Sequence, residues 1–230
     1  MSRAVTELLM VRHGESGSSR SGTVGGPRSC RGLTTIGVKQ VERLADRLRH
    51  EHARQRITSV YASPLRRAVQ SARLVSAVLG LDVVIEPDLR PADCGEADGR
   101  PWSEVVAAFG GVPALQPDRP IAPGAESWGQ YLSRTRRALE RLLVEHTGQR
   151  VLVVAHGETV SATSQLLLEL PAEIQARTVF ASSPASLTHW ARRPLPWPLA
   201  ECDSGWTLLC HNDASHLLVD RQPPFSDCSA

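Results

Sequence analysis

The chain has 230 residues, 41% hydrophobic and 22% charged, a balance that excludes disordered and fibrous classes and supplies enough apolar side chain for a sizeable core. Lys plus Arg total 26 against 24 acidic residues, so the net charge is only +2 and nucleic acid is not an expected partner. No run approaches the ~18–20 apolar residues of a membrane helix, and the start, Met1 to Val11, lacks a basic leader and a small-residue cleavage site, so no membrane association is expected. Five scattered cysteines, Cys30, Cys94, Cys202, Cys210 and Cys228, include no Cys-x-x-Cys pair, which favours a reducing, cytoplasmic setting and argues against a structural zinc site. Lys39 is the single lysine; the remaining basic residues are arginine, the better bidentate phosphate ligand.

Strand and helix patterns alternate along the chain. Glu7 to Val11 reads as a buried strand, followed by a Gly/Ser/Arg-rich loop from Gly14 to Gly32. Thr34 or Thr35 is positioned to cap a helix whose apolar residues Val38, Val41, Leu44, Ala45 and Leu48 keep helical spacing. Ile57 to Tyr61 is β-branched and strand-like, Pro64 suits a first helical turn, and Leu65 to Leu79 forms a helix stopped by Gly80. Val83 to Ile85 is a further strand. The Pro- and Gly-rich segment from Pro87 to Gly124 reads as an insertion or lid with at most one short helix, around Ser103 to Phe109. Ser127 to His146 is helical and closed by Gly148, Val151 to Ala155 is a strand buried on both faces, and a helix runs from about Thr159 to Leu170. Ala185 to Trp190 and Trp206 to His211 read as two strands joined by a Pro-rich loop, Pro194 to Gly205. This order predicts one α/β domain over residues 1–230, a three-layer α/β/α sandwich on a mainly parallel sheet.

Ligands of such sheets bind beyond the carboxyl ends of the strands. Two apolar strands end alike here, in Arg12-His13-Gly14-Glu15-Ser16 and in His156-Gly157-Glu158, each with a glycine that would let backbone approach a ligand. A third strand end leads into Ser63-Pro64-Leu65-Arg66-Arg67-Ala68 and brings arginine and a helix N-terminus to the same rim. Each feature alone is as easily a turn or a solvated residue, but two histidines, arginine and a helix N-terminus together make a phosphate-type anion site. His50, His52 and His146 sit in charged helix ends and read as surface residues, while His189, His211 and His216 carry no motif.

The first motif resembles the signature of the histidine phosphatase superfamily, whose fold is phosphoglycerate mutase-like. The resemblance extends in order through Leu33-Thr34-x-x-Gly37, the Ser63 to Ala72 segment, Pro123-Gly124-Ala125-Glu126-Ser127 and Val153 to Gly157, with Asn212 and His216-Leu217 similar to the last strand and its exit. It implies that His13 attacks phosphorus and forms a phosphohistidine that water hydrolyses, and that Arg12, Arg67 and His156 hold the phosphoryl oxygens. Ser19 and Glu158 join Arg12 and Arg67 as expected substrate-binding residues. No metal or other cofactor is expected.

One departure concerns the proton donor. The family's acid stands in a segment like Leu-Arg-Glu-x-x-x-Gly, where this chain has Leu89-Arg90-Pro91-Ala92-Asp93-Cys94-Gly95. Asp93 and Glu96 are the nearest substitutes in sequence and read equally well as loop charges; Glu158 is another candidate, and a good leaving group would need no acid. The function expected is a phosphoric monoester hydrolase acting on a small phosphorylated metabolite, with phosphoglycerate mutase-type transfer or non-catalytic phosphate binding as alternatives. A homodimer stays open. The variable loops offer Arg20, Arg28, Arg31, Arg100, Trp102, Phe109 and Trp128 as pocket walls, suited to a polar ligand with an apolar or ring-shaped part.

Overall fold

A computed structural model describes residues 5–176, 178–199 and 202–218. Met1 to Ala4 at the start and Cys228 at the end lie outside the described residues. Apolar runs at the expected places form β1 (Thr6–Arg12), β2 (Ser59–Ala62), β3 (Val83–Ile85) and β4 (Arg150–Ala155), which pair in parallel. β5 (Leu187–Leu199) runs antiparallel to β1 and carries β6 (Cys202–Asp213) on its far side, giving the order β3-β2-β4-β1-β5-β6.

Period-two alternation along the central strands sends side chains to both faces of the sheet. Leu9, Val11, Leu152 and Val154 pack on α2 (Thr35–Arg54) and α3 (Arg66–Leu79), whereas Leu8, Met10, Val151 and Val153 pack on α5 (Trp128–Glu145) and α6 (Gly157–Leu167). Continuous apolar strands and amphipathic helices therefore close into the expected three layers. The caps follow the chemistry of the sequence: Thr34 accepts from the Gly37 N–H, Ser127 and Gln130 form a capping box, and Gly80 ends α3 in the left-handed region at φ 65°.

Several expectations need correction. α3 starts at Arg66 with Leu65 as its cap, so Pro64 precedes the helix rather than occupying its first turn. α6 begins at Gly157, two residues before the expected start, because His156 takes the cap position in extended conformation. Most of the Pro194 to Gly205 stretch is strand, not loop: β5 runs on to Leu199 and β6 starts at Cys202, the two pairing at Pro194–Ser204 and Leu199–Cys202 beyond the end of the pairing with β1 at Thr6. His146 is buried, its ring between the Tyr61 hydroxyl at 2.8 Å and Gln149 Oε1 at 2.9 Å, because α5 ends over the sheet.

The 87–124 segment holds α4 (Trp102–Phe109) and three 3-10 turns, and it packs on the loop after β1 through a small cluster of Val24, Cys94, Ala97 and Val105. That loop contains one short helix, α1 (Gly17–Ser21), held by a Ser16–Ser19 capping box. Cys30, Cys94 and Cys210 are free thiols. Among the described residues, no helix is long and apolar enough to cross a membrane.

Candidate active site

β1 and β4 are neighbours in exact register, Arg12 opposite Ala155, so the residues that follow them emerge side by side. The His13 and His156 rings meet edge to face with centroids 5.2 Å apart. β2 lies on the other side of β4 and delivers Ser63 and the first turn of α3, with Arg67, to the same place. A cup of about 230 Å³ results, lined by Arg12, His13, Ser16, Ser18, Arg67, His156 and Glu158, with Trp102 and Pro91 on the insertion side.

The His13 ring is buried and fixed at both nitrogens. Nδ1 lies 2.7 Å from the Gly14 carbonyl, which can only accept, so the proton sits on Nδ1. Nε2 then carries the lone pair, and the Arg67 Nε–H donates to it at 3.0 Å. Burial, followed by the charges of Arg67 and Arg12, lowers the His13 pKa to about 3, against which the Gly14 hydrogen bond is the lesser effect. The imidazole is thus neutral, with the right tautomer for nucleophilic attack, throughout the physiological range.

Gly14 has a different reason from the one the sequence offered. A Cβ there would meet the Gly37 carbonyl oxygen at 2.4 Å and Val41 Cγ2 at 2.8 Å, and a Cβ on Gly37 would meet the Glu15 oxygen at 2.1 Å. The two glycines let α2 press against the loop that presents His13, and α2 itself fills that space. This also accounts for the Leu33-Thr34-x-x-Gly37 motif. On the other side, Ala185, at φ 58°, donates its N–H to the Arg12 and His13 carbonyls, and Ser182, three residues earlier, accepts from the Arg12 guanidinium. Asn212 holds that turn by accepting from the Ser183 N–H at 2.6 Å.

His156 Nε2 lies 2.7 Å from the Ser63 hydroxyl, whose oxygen also accepts from the Leu65 N–H. The Ser63 hydroxyl hydrogen has no other acceptor among the described residues, so Ser63 donates to Nε2 and the ring proton stands on Nδ1, which is buried without a partner among those residues. Burial, then the Arg67 charge, holds the His156 pKa well below its ordinary value, so the ring acts as a neutral donor. Arg12 Nε and Arg67 Nη1 are likewise buried without partners, and burial followed by repulsion from Arg67 lowers the Arg12 pKa. Three unpartnered N–H donors around a neutral imidazole suit a phosphoryl group's oxygens. Ser63, Ser182 and Asn212 escaped attention as site residues; Ser63 stood inside a quoted motif, but nothing local marks a serine as the partner of a histidine 93 positions away.

The carboxylates divide. Glu158, in the first turn of α6, lies at the cup with Oε2 3.3 Å from the Ala92 N–H, and burial raises its pKa despite Arg67 and Arg12. Asp93 and Glu96 are exposed and do not line the cup. Cys94, bridged to Ala125, lines the cup, whereas the neighbouring Asp93 is exposed and its carboxylate accepts from the Gly95 N–H at 3.0 Å at the start of a 3-10 turn. Pro91 itself forms cup wall. Ser19 reaches the rim with its hydroxyl tied to Ser16 in the capping box. Of the loop residues, Trp102 lines the cup, Arg28 pairs with Asp98 and the Gly95 carbonyl, and Arg100 pairs with Glu104.

Arg66 is exposed and lies outside the cup, one residue from Arg67 but on another face of α3. Arg67→Ala should therefore lose on the order of 2–4 kcal/mol of transition-state stabilisation, ~10²–10³ in kcat/KM, with Arg66→Ala close to wild type. Steady-state kinetics on one aryl phosphate decides it, and equal damage from both would contradict this placement.

The sequence profile of the histidine phosphatase superfamily (branch 1) matches residues 8–200. A metal-independent phosphoserine phosphatase of Arabidopsis thaliana is 35% identical over 163 residues, 69% of this chain and 67% of that protein. Among solved structures, a mycobacterial glucosyl-3-phosphoglycerate phosphatase superposes with a TM-score of 0.74 at 23% identity, over 90% of this chain and 98% of its own. A phosphoserine phosphatase of Entamoeba histolytica, solved with phosphoserine, gives 0.73 at 19% identity over 93% and 100%. The chain belongs to the histidine phosphatase superfamily, branch 1, and is a phosphoric monoester hydrolase.

Proposed function

We propose that the protein is a metal-independent phosphatase that hydrolyses an ester of a small phosphorylated metabolite through a phosphohistidine on His13. One observation carries the reading: His13 Nε2, left with the ring's lone pair by the Nδ1 tether to Gly14 and held by the Arg67 Nε–H, sits among the unpartnered N–H groups of Arg12, Arg67 and His156. The name of the Arabidopsis relative, which includes metal independence, supports it, as do the phosphorylated metabolites in the names of its structural neighbours.

The reaction follows from the placement of the groups. When the ester enters, the Arg67 N–H that held the His13 lone pair moves to a phosphoryl oxygen, while Arg12 and the Nδ1–H of His156 take the others. Nε2 attacks phosphorus in line, the P–O bond to the leaving alcohol breaks, and its electron pair goes to the departing oxygen. Glu158, acting in its protonated form, which burial favours by raising its pKa, gives that oxygen its proton. The resulting carboxylate then takes a proton from the water that attacks the phosphohistidine, which frees His13 and inorganic phosphate and restores the acid. Asp93 and Glu96 have no part in it, since neither reaches the cup.

With 4-nitrophenyl phosphate, phosphate release should be unchanged by a divalent-ion chelator, and rapid quenching should trap an acid-labile, base-stable phosphoenzyme. Loss of activity in chelator with recovery on adding a divalent ion would overturn the reading. A phosphoenzyme stable in water and discharged only to an alcohol would point to mutase chemistry.

A further inference from the structure

The cup opens into a second cavity of about 500 Å³, in the size range of small-molecule sites, and the two share Arg12, Cys94, Trp102, Gly157 and Glu158. An ester with its phosphoryl group against His13 must place its leaving group there, past the Glu158 carboxyl. This argument rests on the phosphatase reading above.

The walls of that chamber are mostly apolar: Trp102, Val112, Pro113 and Trp128 on the insertion side, Val179 and Phe180 opposite. Glu126, forked by Arg134, and Glu158, which acts as the neutral acid, both face it, so its carboxyl groups bring no uncompensated negative charge. Among the described residues, the guanidinium groups nearest it hold partners within the protein. Arg134 forks onto Glu126 at 2.6 and 3.0 Å and donates to the carbonyls of Asp88, Arg90 and Pro91. Arg119 lies over the Phe109 ring, 4.0 Å from its centroid, and donates to Gln116. Arg12 belongs to the phosphate cup.

We propose that the chamber selects a flat, ring-bearing alcohol, and that phosphate esters of small polar alcohols are poor substrates. The rings of Trp102 and Trp128 supply broad apolar faces, and a ring-bearing body buried there gains area that a small polar body does not.

The test compares three primary alkyl esters, so that all require a similar proton donation: 2-(1-naphthyl)ethyl phosphate, ethyl phosphate and phosphoserine. The kcat/KM of the naphthyl ester should exceed that of phosphoserine by ~10²-fold, most of the difference residing in KM. Trp102→Ala and Trp128→Ala should each shrink the ratio of naphthyl to ethyl ester several-fold, and Trp128→Phe should keep most of it. Phosphoserine turned over as well as the naphthyl ester by the wild type, or a ratio unmoved by both alanine variants, would overturn the substrate assignment and leave the phosphatase reading standing. No turnover of any ester and no phosphoenzyme would sink both.

Discussion

His13→Ala is expected to lose turnover by about 10⁴-fold or more, the scale on which covalent catalysts fail when the nucleophile is removed. The reason lies in what the rest of the site can still do. Arg12, Arg67 and His156 would bind the phosphoryl group as before, but none offers a lone pair: the guanidinium groups have none, and the Nε2 lone pair of His156 is spent on the Ser63 hydroxyl. A two-step displacement would revert to direct attack by water in a cup without a base positioned for it. Phosphate trapped on acid quenching should vanish with the rate, while circular dichroism and thermal unfolding should show a folded protein. A His13→Ala variant retaining a tenth of wild-type kcat/KM, or still trapping phosphate, would end the mechanism.

Glu158→Gln should separate substrates by leaving group. An alkoxide must be protonated as it departs and a nitrophenolate need not be, so the variant should slow an alkyl phosphate by ~10²–10⁴ and leave 4-nitrophenyl phosphate nearly untouched. Parallel Asp93→Asn and Glu96→Gln variants should change neither substrate, because those carboxylates are exposed and outside the cup. The pH profile carries the same assignment with a definite sign. Glu158 acts in its protonated form and burial raises its pKa, so kcat/KM for the alkyl ester falls as pH rises through that raised value. The glutamine variant should lack that limb. His13 acts unprotonated, and with its pKa lowered to about 3 the nucleophile contributes no acid limb near an ordinary histidine's ~6.5. Ionisation of the ester itself, near pH 6, is common to all variants and divides out of the comparison. If Glu158→Gln slows both esters equally, the carboxyl is an electrostatic or structural element and the proton comes from elsewhere.

Much of the scaffold was legible in the chain. Leu8 to Val11 and Val151 to Ala155 are apolar without interruption, and only strands covered on both faces demand that. Thr34, Ser127 and Gly80 announce their caps because capping satisfies backbone groups within a few residues, a purely local matter. The two His-Gly steps at strand ends named Arg12, His13 and His156 for the same reason, as each motif is contiguous and its position in an α/β fold nearly dictates where it points.

What the sequence could not decide were choices made by residues distant in the chain. The tautomers of His13 and His156 depend on the Gly14 carbonyl being held in place by α2 and on Ser63 arriving from a different strand. Asp93, Glu96 and Glu158 were chemically equivalent candidates for the acid. Only the tertiary structure tells them apart: the Asp93 carboxylate is spent on the Gly95 N–H at the surface, and the start of α6 at Gly157 seats Glu158 beside Ala92. His146 looked like a surface residue because its neighbours in sequence are charged, yet it is buried because Tyr61 supplies a hydroxyl partner from the adjacent sheet. Hydrophobic period and capping act over one or two turns of chain and can be read in one dimension, whereas the direction of a loop side chain and the protonation of a buried one are set by whichever groups the fold brings within hydrogen-bonding distance.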